Sequence, residues 1–325
     1  MALRVAVLGA SGFGRHHAKW YADLGCEVVA FLGSSPERVE TTAQALRGAF
    51  GFRGRGYTSL EELLAAERPD AASVCTPPAL HGEHARAAID AGCSVICEKP
   101  FVWRPGVASA ELMAEARRLV EAAERQRVVL AVNTQYAAAA QEYRRLAPEA
   151  LEAPTHFFGE MASKIKPGGP RGRDICIDLM PHPLSVLLAL LPDAALRPGT
   201  VRAAVREEAT EAQFEAVAGG RACAVTLRVA KLPEPPFPRR FGFGGQIAEV
   251  GTKPDERGVY RGYVAVGDRE RACDDFMKTS IERFCRAVRG EGPPLATGLA
   301  AVRNLELLLA TLDEAERGAD QTSSP

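Results

Sequence analysis

Three segments of this chain carry side chains whose types and spacing could do chemistry. Lys99 follows the apolar run 94–97, so a buried strand would deliver its ammonium group at the carboxyl edge of a sheet, where ligands of α/β proteins bind. Asp178 and His182 are four residues apart, which is one turn of a helix. A glycine-rich turn, Gly9–Gly14, follows the first apolar run. A nucleotide-binding turn, a fixed cation and an oriented base together indicate a dehydrogenase.

These side chains suit the removal of a hydride from a secondary alcohol. An ammonium group near the alcohol oxygen stabilises the charge that develops as the hydroxyl proton leaves, and an imidazole can take that proton. We therefore predict Lys99, His182 and Asp178 as catalytic residues, with Asp178 orienting the imidazole or binding the substrate. The prediction requires Lys99 and His182 to meet in one cleft.

Each of these residues also has a plainer interpretation. Lys99 could form a surface ion pair with Glu98. Asp178 and His182 could be a hydrogen-bonded pair at a helix start, because Pro181 and Pro183 interrupt the segment. The coincidence of all three with a nucleotide-binding pattern favours catalysis.

The glycine turn is predicted to bind a dinucleotide. Gly9 allows a tight bend after the first strand, and Gly14 lets the following helix pack closely on the sheet, so that helix N–H groups point at a diphosphate. Ser11 stands where the usual fingerprint has its middle glycine. The predicted cofactor-binding residues of this turn are Gly9, Ser11, Gly12, Phe13 and Gly14.

The end of the second predicted strand indicates which cofactor is used. An acidic residue there would bind the free ribose of NAD, but the sequence has Ser34 and Ser35, with Arg38 shortly after. Small hydroxyl side chains and a guanidinium group accommodate a 2′-phosphate better, which favours NADP. NAD remains the alternative, since Arg38 could be an ordinary solvated helix residue.

Length and composition restrict the class of protein. The 325 residues suit two domains, 1–132 and 133–325, and a formal charge of −1 gives no reason to expect nucleic-acid or membrane partners. The eight cysteines contain no Cys-x-x-Cys pair, so neither a disulfide framework nor a bound metal is expected. No signal peptide or spanning segment is evident, and we expect a soluble cytoplasmic protein.

The order of predicted elements gives the fold class. Up to residue 132, apolar strands alternate with amphipathic helices, which predicts a doubly wound parallel sheet of the Rossmann type. Beyond it, consecutive strands predict an open, mostly antiparallel sheet in an α/β domain. A buried helix is expected over 178–191, and two helices, near 276–289 and 299–317, are expected to close the chain.

Several segments resemble the Gfo/Idh/MocA family of oxidoreductases, named after glucose–fructose oxidoreductase and inositol dehydrogenase. They are the glycine turn 9–14, Thr76-Pro77-Pro78-Ala79-Leu80-His81, the stretch 91–100 that ends in Glu-Lys-Pro, and Asp178-x-x-x-His182. The resemblance covers the whole chain in order, densely up to residue 100 and sparsely after about residue 190.

The resemblance implies both a fold and a set of functional residues. It implies a Rossmann domain and a second domain whose sheet forms a homodimer or homotetramer. It matches Lys99, Asp178 and His182 to the family's catalytic residues and implies a cis bond between Lys99 and Pro100. It also implies that Thr76, Pro77, His81, Glu98 and Lys99 line the nicotinamide end of the cofactor.

The departures from the family concern the substrate. The approach to Asp178 is not rich in glycine, and an arginine that often follows residue 132 is missing. Basic residues lie in two Gly/Pro-rich loops, which favours an anionic substrate; solvated surface charge is the alternative. These basic residues are Lys164, Lys166, Arg171, Arg173, Arg239 and Arg240.

We therefore predict an NADP-dependent enzyme that interconverts a secondary alcohol and a ketone on a sugar-like or cyclitol substrate. One alternative is an NADPH-dependent imine or C=C reductase in small-molecule biosynthesis. The other is a nucleotide-binding sensor without catalysis.

Overall fold

The computed structural model describes residues 2–254, 256 and 260–322, and it divides the chain into two units. The first unit holds Met1–Asn133 and Met277–Val302. The second holds Thr134–Phe276 and Arg303–Pro325.

The first unit is built on a six-stranded parallel sheet with the strand order β3-β2-β1-β4-β5-β6. The chain adds strands toward one edge of the sheet from β1 to β3 and toward the other edge from β4 to β6. The strand order therefore reverses between β1 and β4, and this switch point is where such folds bind ligands. The apolar runs form these strands because both faces of the sheet are buried. The strands are β1 (Arg4–Leu8), β2 (Glu27–Leu32), β3 (Arg55–Tyr57), β4 (Ala71–Val74), β5 (Ser94–Glu98) and β6 (Leu130–Asn133).

Five helices connect these strands. The second of these helices begins with a serine cap followed by a proline in its first turn, and it ends at a glycine in the left-handed conformation. They are α1 (Phe13–Asp23), α2 (Pro36–Phe50), α3 (Leu60–Glu67), α4 (His81–Asp90) and α5 (Ser109–Gln126). The predicted doubly wound parallel sheet is confirmed.

The segment 277–302 belongs to this first unit, which differs from the predicted division at residue 132. Apolar side chains of α9 (Phe276–Val288), among them Ile281 and Phe284, pack into the same core as Val5 and Phe31. The backbone N–H of Val132 in β6 also donates to the carbonyl oxygen of Ala296. The core of the first unit is therefore completed by residues far along the chain, which local sequence patterns do not reveal.

The second unit contains a nine-stranded sheet, mostly antiparallel, as predicted. Its main order is β15-β14-β13-β12-β7-β11-β10-β8, with β9 paired to β10, and among the described strands only β7 and β11 run parallel. The strands are β7 (His156–Lys164), β8 (Ala195–Leu196), β9 (Arg202–Val205), β10 (Ala209–Ala218), β11 (Arg221–Leu232), β12 (Arg239–Phe243), β13 (Gln246–Pro254), β14 (Tyr260–Val266) and β15 (Arg269–Cys273).

Helices of the second unit pack on this sheet. The buried helix predicted over 178–191 is observed as two helices that meet at Met180. None of the helices in the described part of the chain is long and apolar enough to cross a membrane. The helices of this unit are α6 (Ala139–Leu146), α7 (Arg173–Leu179), α8 (Pro181–Leu190) and most of α10 (Gly298–Thr322).

Candidate active site

The glycine turn between β1 and α1 packs so closely against the end of β4 that side chains do not fit. Gly9 has φ +88°, and a Cβ atom there would lie 2.8 Å from the carbonyl oxygen of Cys75. A Cβ atom on Gly14 would overlap the carbonyl oxygen of Gly9. Gly12, in contrast, faces open space. The turn is therefore tight toward the sheet and open on its other side.

The residues around this open side fit a dinucleotide. Helix α1 begins at Phe13 without a side-chain cap, so its first N–H groups are left for a ligand or water. Ser11, Gly12 and Phe13 are exposed. At the end of β4, the Thr76 hydroxyl oxygen is buried and has no hydrogen-bond partner among the described residues. An anion-binding helix start and an unpaired hydroxyl at the switch point match the needs of a diphosphate and a ribose.

The end of β2 holds the residues predicted to select NADP. The Ser35 hydroxyl caps α2 by accepting the backbone N–H of Arg38 at 3.3 Å. Ser34 and the Arg38 side chain are exposed. Ser35 therefore has a structural role, and Ser34 and Arg38 are the residues whose side chains face solvent.

A buried polar network links Glu98 to three other elements of the first unit. His17 on α1 lies with Nε2 2.9 Å from Glu98 Oε1 and Nδ1 2.8 Å from the Ser73 hydroxyl on β4. The Asn133 amide on β6 donates to the same Glu98 oxygen at 2.6 Å. The backbone of the Glu98-Lys99-Pro100 turn is therefore anchored from α1, β4 and β6.

The network is charged. Burial alone would raise the pKa of Glu98, but the hydrogen bond and positive charge of His17 hold it at about 2. Burial would lower the pKa of His17, whereas the Cys75 sulfur and the Glu98 carboxylate raise it to about 10. Burial raises the pKa of Cys75, so its thiol is neutral at pH 7 and Glu98 is the partner charge. The sequence analysis predicted Glu98 as a site residue but did not predict His17. The feature that could have indicated His17 is its position three residues after Gly14, on the buried face of α1.

His81 braces the two turns that follow β4 and β5. Its Nδ1 lies 2.7 Å from the carbonyl oxygen of Pro100, and its Nε2 lies 2.9 Å from that of Thr76. Burial lowers its pKa, so the ring is neutral and donates to one of these carbonyls at a time. The Lys99–Pro100 bond is cis, as the resemblance implied. Lys99 directly precedes Pro100, to which His81 is hydrogen-bonded, and its side chain is half-buried. Pro77 is exposed.

In the second unit, Asp178 lies near the end of α7 and His182 near the start of α8. Met180 has helical backbone angles and joins the two helices, so the two side chains are one turn apart. The Asp178 carboxylate forms an ion pair of 2.7 Å with Lys231 on β11, whose side chain is mostly buried. Lys231 was not predicted, because it reaches Asp178 only through the pairing of the sheet with α7.

His182 is buried and packs edge-on against an aromatic ring. Its ring centroid lies 5.1 Å from that of Tyr136, and the Arg239 guanidinium lies 6.0 Å from the Tyr136 ring. The Asn304 amide donates to the Pro181 carbonyl oxygen at 2.9 Å and so holds the start of α8. His182, Tyr136 and Arg239 line a narrow cleft. The second unit thus combines an imidazole, a phenol and a guanidinium at one place.

Three of the six basic residues singled out in the sequence form ion pairs with carboxylates. Ion pairs join Arg171 to Glu208, Arg173 to Glu316 and Arg240 to Glu160. Lys164 and Lys166 are exposed. The Arg239 Nε atom is buried and has no hydrogen-bond partner in the part of the chain that the structure describes. Two of the six residues, Arg239 and Arg240, line the cleft that His182 also lines.

Comparison with known proteins agrees with the geometry of the first unit. Residues 3–134 match the family model described as "Oxidoreductase family, NAD-binding Rossmann fold" (GFO_IDH_MocA).

Relatives and solved structures extend the similarity over the chain. The UDP-N-acetylglucosamine 3-dehydrogenase of Acidithiobacillus ferrooxidans is 28% identical over 94% of this chain and 95% of its own length. The 1,5-anhydro-D-fructose reductase of Ensifer adhaerens is 28% identical over 90% of each protein. A solved structure of the Acidithiobacillus enzyme matches with a TM-score of 0.76 at 25% identity, covering 98% of this chain and 99% of that one.

The fold and the site of the first unit define an NAD(P)-binding oxidoreductase. Residues 3–134 carry the NAD-binding Rossmann fold of the Gfo/Idh/MocA oxidoreductase family, and the two relatives similar over most of the chain are a dehydrogenase and a reductase.

Proposed function

We propose that this enzyme uses NADP to interconvert a secondary alcohol and a ketone on a sugar-like or cyclitol substrate. The observation that carries the proposal is the carboxyl edge of the first sheet. There the glycine turn closes against Cys75, and β5 delivers Lys99 from the anchored Glu98. The names of the two full-length relatives support a sugar-like substrate.

The proposed mechanism assigns a role to each residue. Gly9, Ser11, Gly12, Phe13 and Gly14 would hold the diphosphate, with Thr76 and Glu98 toward the nicotinamide. When bound, the nicotinamide donates or accepts the hydride. Lys99 donates a hydrogen bond to the substrate oxygen and stabilises its developing charge. His182 takes the hydroxyl proton in oxidation and returns it in reduction.

Asp178 has a positioning role in this scheme. Its ion pair with Lys231 fixes the carboxylate one helical turn before His182. A carboxylate so placed favours the protonated imidazole and so assists proton transfer.

NADP is the preferred cofactor in this proposal because Ser34 and Arg38 are exposed after β2, where an acidic residue would otherwise bind the free ribose. A fluorescence titration of the purified protein with NADPH and with NADH tests this. We expect NADPH to bind at least about tenfold more tightly. Equal affinities, or tighter binding of NADH, would reject the preference.

The proposed substrate carries an anionic group that Arg239 recognises. Its buried Nε atom lacks a partner among the described residues, and the guanidinium lies beside Tyr136 in the cleft that His182 lines. A buried donor without an acceptor is costly, so an anionic substrate group would compensate it.

The experiment on activity follows NADPH oxidation in the presence of a panel of keto sugars, each offered in neutral and phosphorylated form. We expect turnover of at least one keto sugar and a lower KM for the phosphorylated form. Turnover of imines or conjugated alkenes alone would favour the alternative reductase, and equal KM values for neutral and phosphorylated forms would remove the role of Arg239.

Self-association through the nine-stranded sheet is also part of the proposal. One face of this sheet carries the ion pairs Arg228–Glu211 and Arg240–Glu160 and the partly exposed Phe158. Light scattering of the purified chain should give the mass of a dimer or tetramer, and a monomer at micromolar concentration would reject this part.

A further inference from the structure

Two cysteines of the first unit lie close together, away from the residues proposed to act in catalysis. The sulfur atoms of Cys26 and Cys285 are 3.7 Å apart, although the residues are 259 positions apart in the chain. Both side chains are buried in the core of the first unit. Cys26 directly precedes β2, and Cys285 lies within α9.

The backbone around Cys26 is fixed. Helix α1 ends with Gly25 in the left-handed conformation, and the N–H groups of Gly25 and Cys26 donate to the carbonyl oxygens of Ala22 and Tyr21. This pair of bonds is the Schellman motif, which satisfies the last carbonyls of a helix. Cys285 is held by the helical hydrogen bonds of α9. The sulfur atoms, 3.7 Å apart, must approach each other by about 1.7 Å to form a disulfide bond.

The two thiols differ chemically. The hydrogen bond from the Cys285 thiol lowers the pKa of Cys26, with burial opposing this and the Arg289 guanidinium assisting. The hydrogen bond to Cys26 and burial both raise the pKa of Cys285. Cys26 is therefore the more acidic of the two thiols and the one that supplies the thiolate, and Cys285 supplies a protonated thiol beside it.

A small oxidant has a route toward Cys26. The residue lines an open groove of about 480 Å³, whose walls include Glu27 and residues 50–55. Because Cys26 is only 8% exposed, a hydroperoxide is a better reactant than a bulky disulfide.

We propose that Cys26 and Cys285 form a peroxide-sensitive dithiol that closes to a disulfide. The Cys26 thiolate attacks one oxygen of hydrogen peroxide, and the O–O bond breaks. Cys26 becomes a sulfenic acid, and the departing hydroxide takes up a proton to give water. The Cys285 sulfur then attacks the Cys26 sulfur, the S–O bond breaks, and a second water leaves with the Cys285 proton. Two thiols lose two electrons, and one peroxide gains them.

The disulfide would join the start of β2 to α9 covalently. Because α9 belongs to the segment 277–302, which completes the core of the first unit from far along the chain, the link closes a very long loop. Closing such a loop restricts the unfolded chain and stabilises the folded one.

The test treats the folded full-length protein with hydrogen peroxide, blocks the remaining thiols with N-ethylmaleimide and maps peptides by mass spectrometry without reduction. We expect a linked peptide pair containing Cys26 and Cys285 and a rise in Tm of about 5 °C, both reversed by dithiothreitol. Cys93→Ser is the matched control, because Cys93 is equally buried and burial raises the pKa of its thiol to about 11. It should leave the linked peptide unchanged.

Two variants separate the steps. In Cys285→Ser, dimedone should trap a sulfenic acid at Cys26, whereas Cys26→Ser should leave Cys285 unoxidised. Recovery of both cysteines as maleimide adducts from peroxide-treated wild-type protein would overturn the proposal. So would a linked peptide between other cysteines in place of this pair.

Discussion

The two units hold their candidate functional residues in different ways. In the first unit, Glu98 is fixed by His17 and Asn133, and His81 bridges the turns that end at Thr76 and Pro100. In the second unit, Asp178 forms an ion pair with Lys231, in which the Asp178 carboxylate is partly exposed to solvent and the Lys231 side chain is mostly buried. The comparison indicates that the proposed cofactor side is built on buried, charge-paired contacts, whereas the proposed substrate side includes a carboxylate that is partly exposed to solvent.

The largest effect is expected from the lysine that the rigid network presents. Lys99→Met should lower kcat about 1000-fold, because the substrate oxygen loses the cation that stabilises its charge. The Kd for NADPH should change less than about threefold. Lys19→Met is the control, since that lysine forms an ion pair with Asp23 on the surface of α1. A near-normal kcat for Lys99→Met would remove lysine from the mechanism.

The next largest effect concerns the buried charge of Glu98. His17→Gln removes the compensating cation and should lower the free energy of unfolding by about 3 kcal/mol, measured by urea denaturation. His16→Gln changes an exposed neighbour on the same helix and should be nearly neutral. The double variant His17→Gln with Glu98→Gln should recover part of the loss. If it is no more stable than His17→Gln alone, the charge pairing is not the cause.

The same pair predicts a pH dependence of stability. Folded His17 keeps its proton well above pH 6.5 because Glu98 raises its pKa, whereas a histidine in the unfolded chain loses its proton near 6.5. The folded state therefore binds more protons in that window, and the free energy of unfolding should fall as pH rises from 6.5 toward 10. Glu98, with its pKa of about 2, adds stability above 4.5 that is lost as pH falls toward 2. Urea denaturation at pH 6.5 and 9.5 should show a smaller decline in His17→Gln, and equal declines would contradict the assignment.

A smaller effect is expected in the second unit. Lys231→Met leaves Asp178 without its paired ammonium group and should raise KM about tenfold, with kcat within about threefold. Lys253→Met is the matched control, because it breaks an exposed ion pair with Glu270 on the same sheet. A loss of kcat as large as that of Lys99→Met would contradict the positioning role proposed for the Asp178–Lys231 ion pair.

The difference between the units also explains what could be predicted from the sequence. The turn 9–14 and the strand that carries Lys99 were predicted because local patterns encode them: glycines are required where Cys75 leaves no room, and apolar runs form buried strands. His17, Lys231 and Tyr136 were missed. Each acquires its role through a partner that is distant in the chain, Glu98, Asp178 and His182 respectively.

The same reasoning applies to the elements. Strand β12 (Arg239–Phe243) was not predicted, because its short apolar pattern is broken by Gly242 and preceded by prolines. It is stabilised by pairing with β7 and β13 on either side. Gly242 is needed there, since a Cβ atom would overlap the carbonyl oxygen of Gln246. Pairing with the neighbouring strands therefore forms β12, although its local sequence pattern does not predict a strand.

The central claim is that a lysine of the first unit and a histidine of the second serve the same reaction step. A double-mutant cycle of Lys99→Met and His182→Asn, read as kcat/KM for the best keto sugar of the panel, tests it most directly. If both side chains act on one substrate oxygen, the kcat/KM of the double variant should be within about threefold of that of the less active single variant. Losses that multiply, so that the double variant falls by the product of the two single effects, would contradict the claim.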